Sequence, residues 1–312
     1  MAKRAEPFVD AAGTRIPIGR TWHWGRWLAG AAALAVFAWL VGLLVTNPYL
    51  DWPTVARYLL DPKILDGVLV TIQISVLATV IGLTLGVLLA VMKLAHNPVL
   101  RWLSTLYIWF FRGTPVLVQL IFWYNLAFLF PELVLRVPFT DVGLKWDTNE
   151  LITGFTAAML GLGLNLAAYF AEVVRAGIEA VDRGQTEAAY ALGMTPGKRM
   201  RVIVLPQALR IIIPPTGNEF ISMLKTTSLV YVVAGSDLMT NASEIYKGNN
   251  RIMELLIVAS LWYMLMTAFA TVLQGRLERR FGSDAVRLVR AGGLNARVLP
   301  QQPAPAARET VP

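Results

Sequence analysis

The sequence predicts an all-α polytopic membrane protein with six transmembrane helices, and three observations lead to this fold class. Hydrophobic residues make up 56% of the 312 residues and charged residues only 15%, with a mean hydropathy of +0.55, which is unlike a soluble globular domain. Several apolar runs are long enough to cross a bilayer. Most of the 28 lysine and arginine residues fall on the side that carries both termini and the central loop, which places that side in the cytoplasm. This bias accounts for the net charge of +8 without a nucleic-acid partner.

The first span follows a polar, basic segment. Residues 1–26 form this segment on the cytoplasmic side, and residues 27–66 hold the first helix and an outer loop. A cleaved signal peptide is the alternative interpretation of the apolar run 27–46. Because that run is longer than a usual signal core and no small-residue cleavage site follows it, we predict that the span is retained.

The core is predicted over residues 67–275, followed by a basic cytoplasmic tail, 276–312, whose Pro- and Ala-rich end lacks a burial pattern. Gly82 and Gly86 lie four residues apart in the second span, which favours close packing against another helix. The segments on the outer side are predicted to be loops. The predicted spans of the core are 68–92, 102–130, 151–174, a proline-containing span after 205, and 252–274; the predicted outer loops are 49–66, 131–150 and 237–251.

The third span contains a break. Residues 102–130 are too many for one straight crossing, and the sequence Arg112-Gly113-Thr114-Pro115 interrupts them. Thr114 as N-cap and Pro115 as first helical residue predict that a new helix begins here. For Arg112 two interpretations stay open, a side chain that reaches the headgroups and a residue of a polar pathway.

The fourth span carries a polar stripe. Asn165, Tyr169 and Glu172 are spaced at i, i+4 and i+7, which places them on one helix face. Glu172 and Arg175 are spaced for an ion pair at i, i+3. We predict that this face contacts protein or a pathway, because lipid would penalise its polar groups.

The fifth span is both broken and charged. Pro214, Pro215 and Gly217 predict a kink or a split. The polar residues that follow are candidates for lining a water-filled path, with an internal ion pair that fixes helix packing as the alternative. Three of them share one face and two lie beside it, namely Asn218, Ser222 and Lys225, with Glu219 and Thr226.

The segment between these two spans, residues 184–210, is predicted to be a hairpin of two short helices. The first helix covers residues 185–192, and Gly193 ends it with a left-handed cap. Thr195 and Pro196 begin the second helix, which Pro206 is expected to interrupt. Small residues on one side of the hairpin would allow another protein to approach closely, and they are Ala188, Ala189 and Gly193.

Three stretches resemble the permeases of ABC importers. The run Glu187-Ala188-Ala189, then Gly193, then Leu-Pro-Gln-Ala at 205–208, resembles the EAA loop, the cytoplasmic coupling segment of that superfamily. The stretch FRGTPVLVQ at 111–119 resembles a signature of the polar amino acid permeases. The stretches AAYFAEVVRAGIEAV (167–181) and PPTGNEFISMLKTTSL (214–229) continue the similarity.

The resemblance implies a permease subunit of a binding-protein-dependent importer for polar amino acids of the histidine, glutamine or arginine type, in the bacterial cytoplasmic membrane. It also implies a type I importer core of five helices, to which the first span, in residues 27–66, is an addition. It implies three protein partners: ABC ATPase subunits, an extracytoplasmic solute-binding protein, and a second permease chain that is identical or different. ATP and magnesium would be bound by the ATPase, and no cofactor by this chain. The residues implied for ATPase coupling are Glu187, Ala188, Ala189, Gly193, Lys198 and Arg199, and those implied for a gate or structural signature are Arg112, Gly113, Thr114, Pro115 and Gln119.

The sequence contains no recognisable catalytic motif. The chain has two histidines and no cysteine, and it lacks HExxH and GxSxG patterns. The glycines of 193–199 do not have the spacing of a Walker loop. We therefore predict no catalytic residue, no metal site and no ATP hydrolysis by this chain. The alternative functions are an ATP-independent secondary transporter or channel, and a purely structural membrane subunit, which would not account for Lys225 within a span.

Overall fold

The computed structural model of the chain describes residues 24–136 and 143–295. Most of the predicted cytoplasmic segment 1–26 and the end of the predicted tail lie outside these residues. The chain divides into two units, Met1–Trp52 and Pro53–Pro312. The helices are α1 (Trp24–Val45), α2 (Trp52–Leu59), α3 (Pro62–Leu94), α4 (Pro98–Gly113), α5 (Val116–Tyr124), α6 (Thr148–Leu151), α7 (Gly154–Glu179), α8 (Arg183–Ala191), α9 (Pro196–Arg199), α10 (Leu205–Thr226), α11 (Leu238–Asn249) and α12 (Ile252–Asn295).

Within the described residues, four helices are long and apolar enough to cross a membrane, or five if a bent pair counts as one span. The four are α1, α3, α7 and α12, and the bent pair is α4 with α5. The remaining predicted span corresponds to α10. It is 22 residues long, but Arg210, Glu219 and Lys225 make it more polar than the others. A crossing by α10, and therefore the total of six spans, stays a prediction.

The segments predicted as outer loops contain regular structure, and their placement on the outer side stays a prediction. Residues 49–66 include α2 and the start of α3, where Asp61 accepts a hydrogen bond from the N–H of Lys63 at 2.9 Å. Residues 131–150 hold an antiparallel pair of strands, β1 (Glu132–Arg136) and β2 (Gly143–Asp147). Residues 237–251 form α11, whose N-cap Asp237 accepts from the N–H of Met239 at 3.0 Å. The sequence analysis overlooked the N-cap residues Asp61 and Asp237 and the two short strands, because all of them lie in segments of mixed polar and apolar residues.

The packing of α3 against α7 is the most extensive helix contact of the described chain. Gly82 and Gly86 of α3 lie directly against α7, as predicted. A Cβ atom at Gly82 would come within 2.7 Å of the Leu166 side chain, and one at Gly86 within 2.9 Å of Phe170. Because only hydrogen atoms fit at these positions, the two backbones can approach closely.

Replacing Gly82 with leucine is expected to lower the thermal unfolding temperature of the detergent-solubilised protein. Overpacking at a closed helix contact costs about 1–3 kcal/mol. Gly275 of α12 is a matched control, because a Cβ there meets no atom within 4 Å. Gly275→Leu should leave the unfolding temperature unchanged or raise it, since leucine favours a helix over glycine. Equal unfolding temperatures for both variants would contradict the packing role of Gly82.

The break predicted in the third span is confirmed, with a shift of one residue. The axes of α4 and α5 differ by 100°. Thr114 is the C-cap of α4 and not the N-cap of a new helix, Pro115 is the N-cap of α5, and Val116 is its first residue. The prediction was wrong on this boundary because the Thr114 hydroxyl bonds back to the Phe110 carbonyl at 2.9 Å and so completes the preceding turn.

The helix of the fifth predicted span is not split at Pro214 and Pro215, which excludes one of the two predicted outcomes, and the kink stays a prediction. Residues Met200–Val204 form a π-helical turn between α9 and α10, in which the N–H of Leu205 donates to the carbonyl of Met200. The wider turn accommodates Pro206, which has no N–H to offer. Further along, α10 continues through Pro214 and Pro215. The carbonyls that lose their helix donors to these prolines are those of Arg210 and Ile211, four residues earlier. The Gln274 amide of α12 donates to the Pro214 carbonyl at 3.2 Å and so ties α10 to α12.

Candidate functional site

A cavity of about 510 Å³ lies where the bend between α4 and α5 meets α7 and α10. Its volume is in the range of small-molecule sites. Polar and apolar side chains share its walls. The lining residues are Arg112, Gly113, Thr114, Pro115, Val116, Leu162, Asn165, Leu166, Tyr169, Glu219, Ser222, Met223 and Thr226.

The wall formed by α4 and α7 contributes a positive charge. The Arg112 guanidinium lies over the ring of Tyr169, with 5.2 Å between the guanidinium carbon and the ring centroid. Such a stack leaves the edge of the guanidinium available for hydrogen bonds to a ligand. Arg112 thus faces the cavity, as the pathway interpretation requires, and its role in a pathway stays a prediction.

The same wall is held by two side-chain amides at the bend. Asn165 of α7 donates to the Phe111 carbonyl at 2.9 Å and to the Gln119 side-chain carbonyl at 3.3 Å. The Gln119 amide donates in turn to oxygens of Phe111 and Thr114. Asn165 and Gln119 therefore belong to one hydrogen-bond network. Sequence spacing could not predict this contact, because the two residues lie on different helices.

The wall formed by α10 contributes a negative charge. Glu219, Ser222 and Thr226 follow one another at helical spacing and line the cavity. Within residues 24–136 and 143–295, Glu219 makes no hydrogen bond or ion pair. A partly buried carboxylate without a partner is costly in low dielectric, so it is available to a ligand cation or to water.

Glu172, Asn218 and Lys225 are not among the residues that line this cavity. Glu172 bonds to Lys93 of α3 at 2.5 Å and to Arg175 at 2.9 Å. The pairing with Arg175 is as predicted, and Lys93 is an additional partner 79 residues away in the chain. Asn218 accepts a hydrogen bond from Gln274 of α12 at 3.0 Å, and Lys225 is exposed.

The hairpin between α7 and α10 consists of α8 and α9, and its predicted corner is confirmed. Gly193 has a φ of +70°. The N–H of Gly193 donates to Tyr190 and the N–H of Met194 to Ala189, at 2.9 and 3.1 Å, which is the Schellman pattern of a helix end. Thr195 precedes Pro196 at the start of α9, although the Thr195 side chain makes no capping bond.

The small-residue face of the hairpin is narrower than predicted. Ala189 is only 3% exposed, and α8 contacts the π-turn that precedes α10. Ala189 therefore packs inside the chain and is not open to another protein. Three predicted residues, Glu187, Ala188 and Lys198, are exposed, and so is Gly193, whereas Arg199 is partly buried.

Two exposed apolar side chains on the hairpin were missed. Tyr190 is 74% exposed and Leu192 is 81% exposed. Tyr190 lies in the last turn of α8 and Leu192 is its C-cap, next to Gly193. An available signal was the presence of two large apolar side chains at the end of a short helix with no other large apolar residue, since such residues on a surface often mark a contact with another protein.

The described part of the chain contains no group of three or more histidine, cysteine, aspartate or glutamate side chains that could hold a metal ion.

Comparison with known proteins identifies the family. Residues 82–283 match the model of the binding-protein-dependent transport system inner membrane component. The chain belongs to this family. The matched residues of the permease include α7, the hairpin, α10 and most of the cavity wall.

Characterised relatives cover most of the permease. The chain is 43% identical over 275 residues to the arginine transport system permease protein ArgU of Corynebacterium glutamicum, covering 88% of this chain and 85% of the relative. It is 36% identical over 223 residues to the arginine transport system permease protein ArtQ of Bacillus subtilis, covering 72% and 94%. It is 35% identical over 231 residues to the glutamate/aspartate import permease protein GltK of Escherichia coli, covering 74% and 97%.

Solved structures share the fold of the permease. A crystal structure of an amino acid ABC transporter with histidines is 36% identical, with a TM-score of 0.64 over 74% of this chain and 99% of that chain. The MetNI methionine ABC transporter in inward-facing conformations is 19% identical, with a TM-score of 0.51 over 72% and 97%, which shows a common fold. The protein is thus a multi-pass membrane permease of a binding-protein-dependent transport system.

Proposed function

We propose that this permease imports polar α-amino acids, driven by ATP hydrolysis on a partner ATPase. The observation that carries the proposal is the placement of an unpaired carboxylate, Glu219, and an exposed guanidinium, Arg112, around one cavity. A zwitterionic amino acid presents a carboxylate and an ammonium group. The carboxylate suits the planar guanidinium fork of Arg112, and the ammonium group suits Glu219. The substrates named for the relatives, arginine and glutamate or aspartate, agree with this class.

The route from the ATPase to the cavity follows the hairpin. The hairpin follows α7 and precedes α10, and both of these helices line the cavity. From Pro196 the chain stays helical through the π-turn to the end of α10. Arg199 and Glu219 are 20 residues apart, or about 30 Å along a helix. A displacement of the hairpin by the ATPase would therefore move the α10 wall, which carries Glu219, Ser222 and Thr226.

The assembly includes two permease chains, a pair of ATPase subunits that bind ATP and magnesium, and an extracytoplasmic binding protein that delivers the substrate. The permease itself binds no cofactor and hydrolyses no nucleotide. Both termini and the hairpin lie in the cytoplasm, and the chain resides in the bacterial cytoplasmic membrane. The basic residues of the hairpin, including Lys198 and Arg199, support this orientation.

Reconstitution into proteoliposomes tests this function. The permease is co-purified in mild detergent with its ATPase and combined with its binding protein, and uptake of L-arginine, L-glutamine and L-glutamate is measured. We expect uptake of at least one of them to require both ATP and the binding protein. Uptake by the permease chain alone, driven by an ion gradient at the full rate, would instead identify a secondary transporter or channel and overturn the proposal.

A further inference from the structure

The bend between α4 and α5 leaves a backbone group without its usual partner. In a continuous helix the Phe111 carbonyl would accept a hydrogen bond from the N–H of residue 115. That residue is Pro115, which has no N–H. Phe111 is buried, so water does not readily replace the missing donor. An unsatisfied carbonyl in such surroundings is unfavourable, and another donor is needed to hold the bend.

Side-chain amides fill this gap. Asn165 and Gln119 both donate to the Phe111 carbonyl, at 2.9 and 3.1 Å. Gln119 also donates to the Thr114 hydroxyl at 2.7 Å and lies 3.1 Å from the Thr114 carbonyl. The Asn165 amide donates to the Gln119 side-chain carbonyl at 3.3 Å. The pair thus binds the last turn of α4, the start of α5 and the middle of α7 to one another.

The neighbouring contacts show that α7 is the support of the bend. Tyr107 of α4 donates its hydroxyl to the Leu164 carbonyl at 2.9 Å. Leu120 of α5 is fully buried against Gly161, where a Cβ would come within 2.7 Å of it. These two contacts lie on either side of the amide pair along the chain. The bend is therefore fixed to α7 before, at and after its turning point.

Arg112 lies inside this fixed segment, between Phe111 and Thr114. Its guanidinium stacks on Tyr169, which is one helical turn after Asn165 on the same face of α7. We infer that Gln119 and Asn165 are positioning residues for substrate recognition, which hold the bend so that Arg112 faces the cavity over Tyr169. This inference rests on the proposed function for the role of Arg112, but the mechanical part, the fixing of the bend, does not.

The first test measures uptake by the complete complex in proteoliposomes, with L-arginine as the probe. Gln119→Met and Asn165→Leu remove the amides at similar side-chain volume. We expect each to raise the KM for L-arginine about tenfold, the size of effect expected when a hydrogen bond to a charged group is weakened, with the maximal rate changed by less than about twofold. The increase should disappear in the Arg112→Ala background, because the amides act through Arg112. A KM that stays at the wild-type value, or an increase of equal size with and without Arg112, would overturn the inference.

The second test does not need a transported substrate. The chain has no cysteine, so Gly113→Cys provides a unique attachment point for a spin label, at a position where a Cβ meets no atom within 4 Å. We expect the label to move faster in the Gln119→Met and Asn165→Leu variants. Asn125→Leu is the matched control, because Asn125 also donates its amide to a backbone carbonyl, that of Ile121 at 2.8 Å, but lies at the far end of α5.

These measurements separate the inference from the proposed function. If the wild-type complex takes up no L-arginine, glutamine or glutamate, the proposed function fails and the label still decides the mechanical part. Unchanged label motion in both amide variants would overturn the inference in that case as well. Faster motion in those variants, with the Asn125→Leu control unchanged, would support it.

Discussion

Replacing Gly193 with tryptophan is expected to abolish ATP-driven uptake while the permease remains in the membrane at its normal amount. Gly193 is exposed at the corner of the hairpin, and a Cβ there would meet no atom of its own chain within 4 Å. The permease alone therefore has room for a large side chain. A docked ATPase would not, if Gly193 lies in the contact as proposed.

A control is needed because Gly193 has a positive φ of 70°. Any residue with a Cβ pays a conformational cost there, about 1–2 kcal/mol for most side chains. Asparagine adopts this conformation more readily than other residues, so Gly193→Asn separates backbone strain from bulk. We expect Gly193→Asn to retain most of the uptake and Gly193→Trp to lose it together with ATPase binding.

The measurements are uptake in proteoliposomes, the amount of permease in the membrane, and co-purification of the ATPase. Wild-type uptake by Gly193→Trp would place the ATPase contact elsewhere on the hairpin. Equal loss of uptake in both variants, with the ATPase still bound, would show that backbone conformation and not bulk is what matters at this corner.

Local signals in the sequence predicted local structure well. The glycine cap at Gly193 and the start of α9 at Pro196 depend on neighbouring residues only, and the structure has both. Gly82 and Gly86 were predicted to be packing residues because small residues four apart permit close contact, and their neighbours in the structure confirm it. The break near Pro115 was predicted from Thr114 and Pro115 together, because proline is favoured at the start of a helix.

Contacts between distant segments were not predictable in this way. Glu172 was interpreted from its stripe on α7, yet its second partner Lys93 lies on α3. Asn218 bonds to Gln274, which belongs to α12. A helical face can be read from spacing, but the helix that it meets depends on the three-dimensional arrangement. Polar residues within a span therefore indicated that the helix face avoids lipid. They did not show whether it meets another helix or a water-filled cavity.

The helix itself absorbs the prolines that were predicted to split or interrupt it. Each proline removes only one hydrogen bond, and the turns on either side can keep the helix intact. Before Pro206 the π-turn changes the hydrogen-bond register, and α10 continues through Pro214 and Pro215. Ala189 is a second case in which the local sequence was misleading. Its size suggested an open surface, but the fold of the hairpin onto the π-turn buries it.

Replacing Glu219 with glutamine is expected to raise the KM for L-arginine about 10- to 100-fold. The side chain keeps its size and loses its charge. A hydrogen bond to a charged group contributes about 1.5–3 kcal/mol, which corresponds to this range, since each factor of ten equals about 1.4 kcal/mol. Glu219 has no partner of its own in the described chain, so the substitution leaves no protein cation unpaired and the loss reports on the ligand.

The matched control is Glu179→Gln. Glu179 is at the end of α7, outside the cavity, and pairs with Arg175. Its side chain is largely exposed, so removal of its charge should cost less than about 1 kcal/mol and leave the KM unchanged. ATP hydrolysis stimulated by the binding protein should persist in both variants, because the hairpin is intact. A wild-type KM in Glu219→Gln, or an equal rise in both variants, would remove Glu219 from the substrate site and leave its unpaired charge to another role.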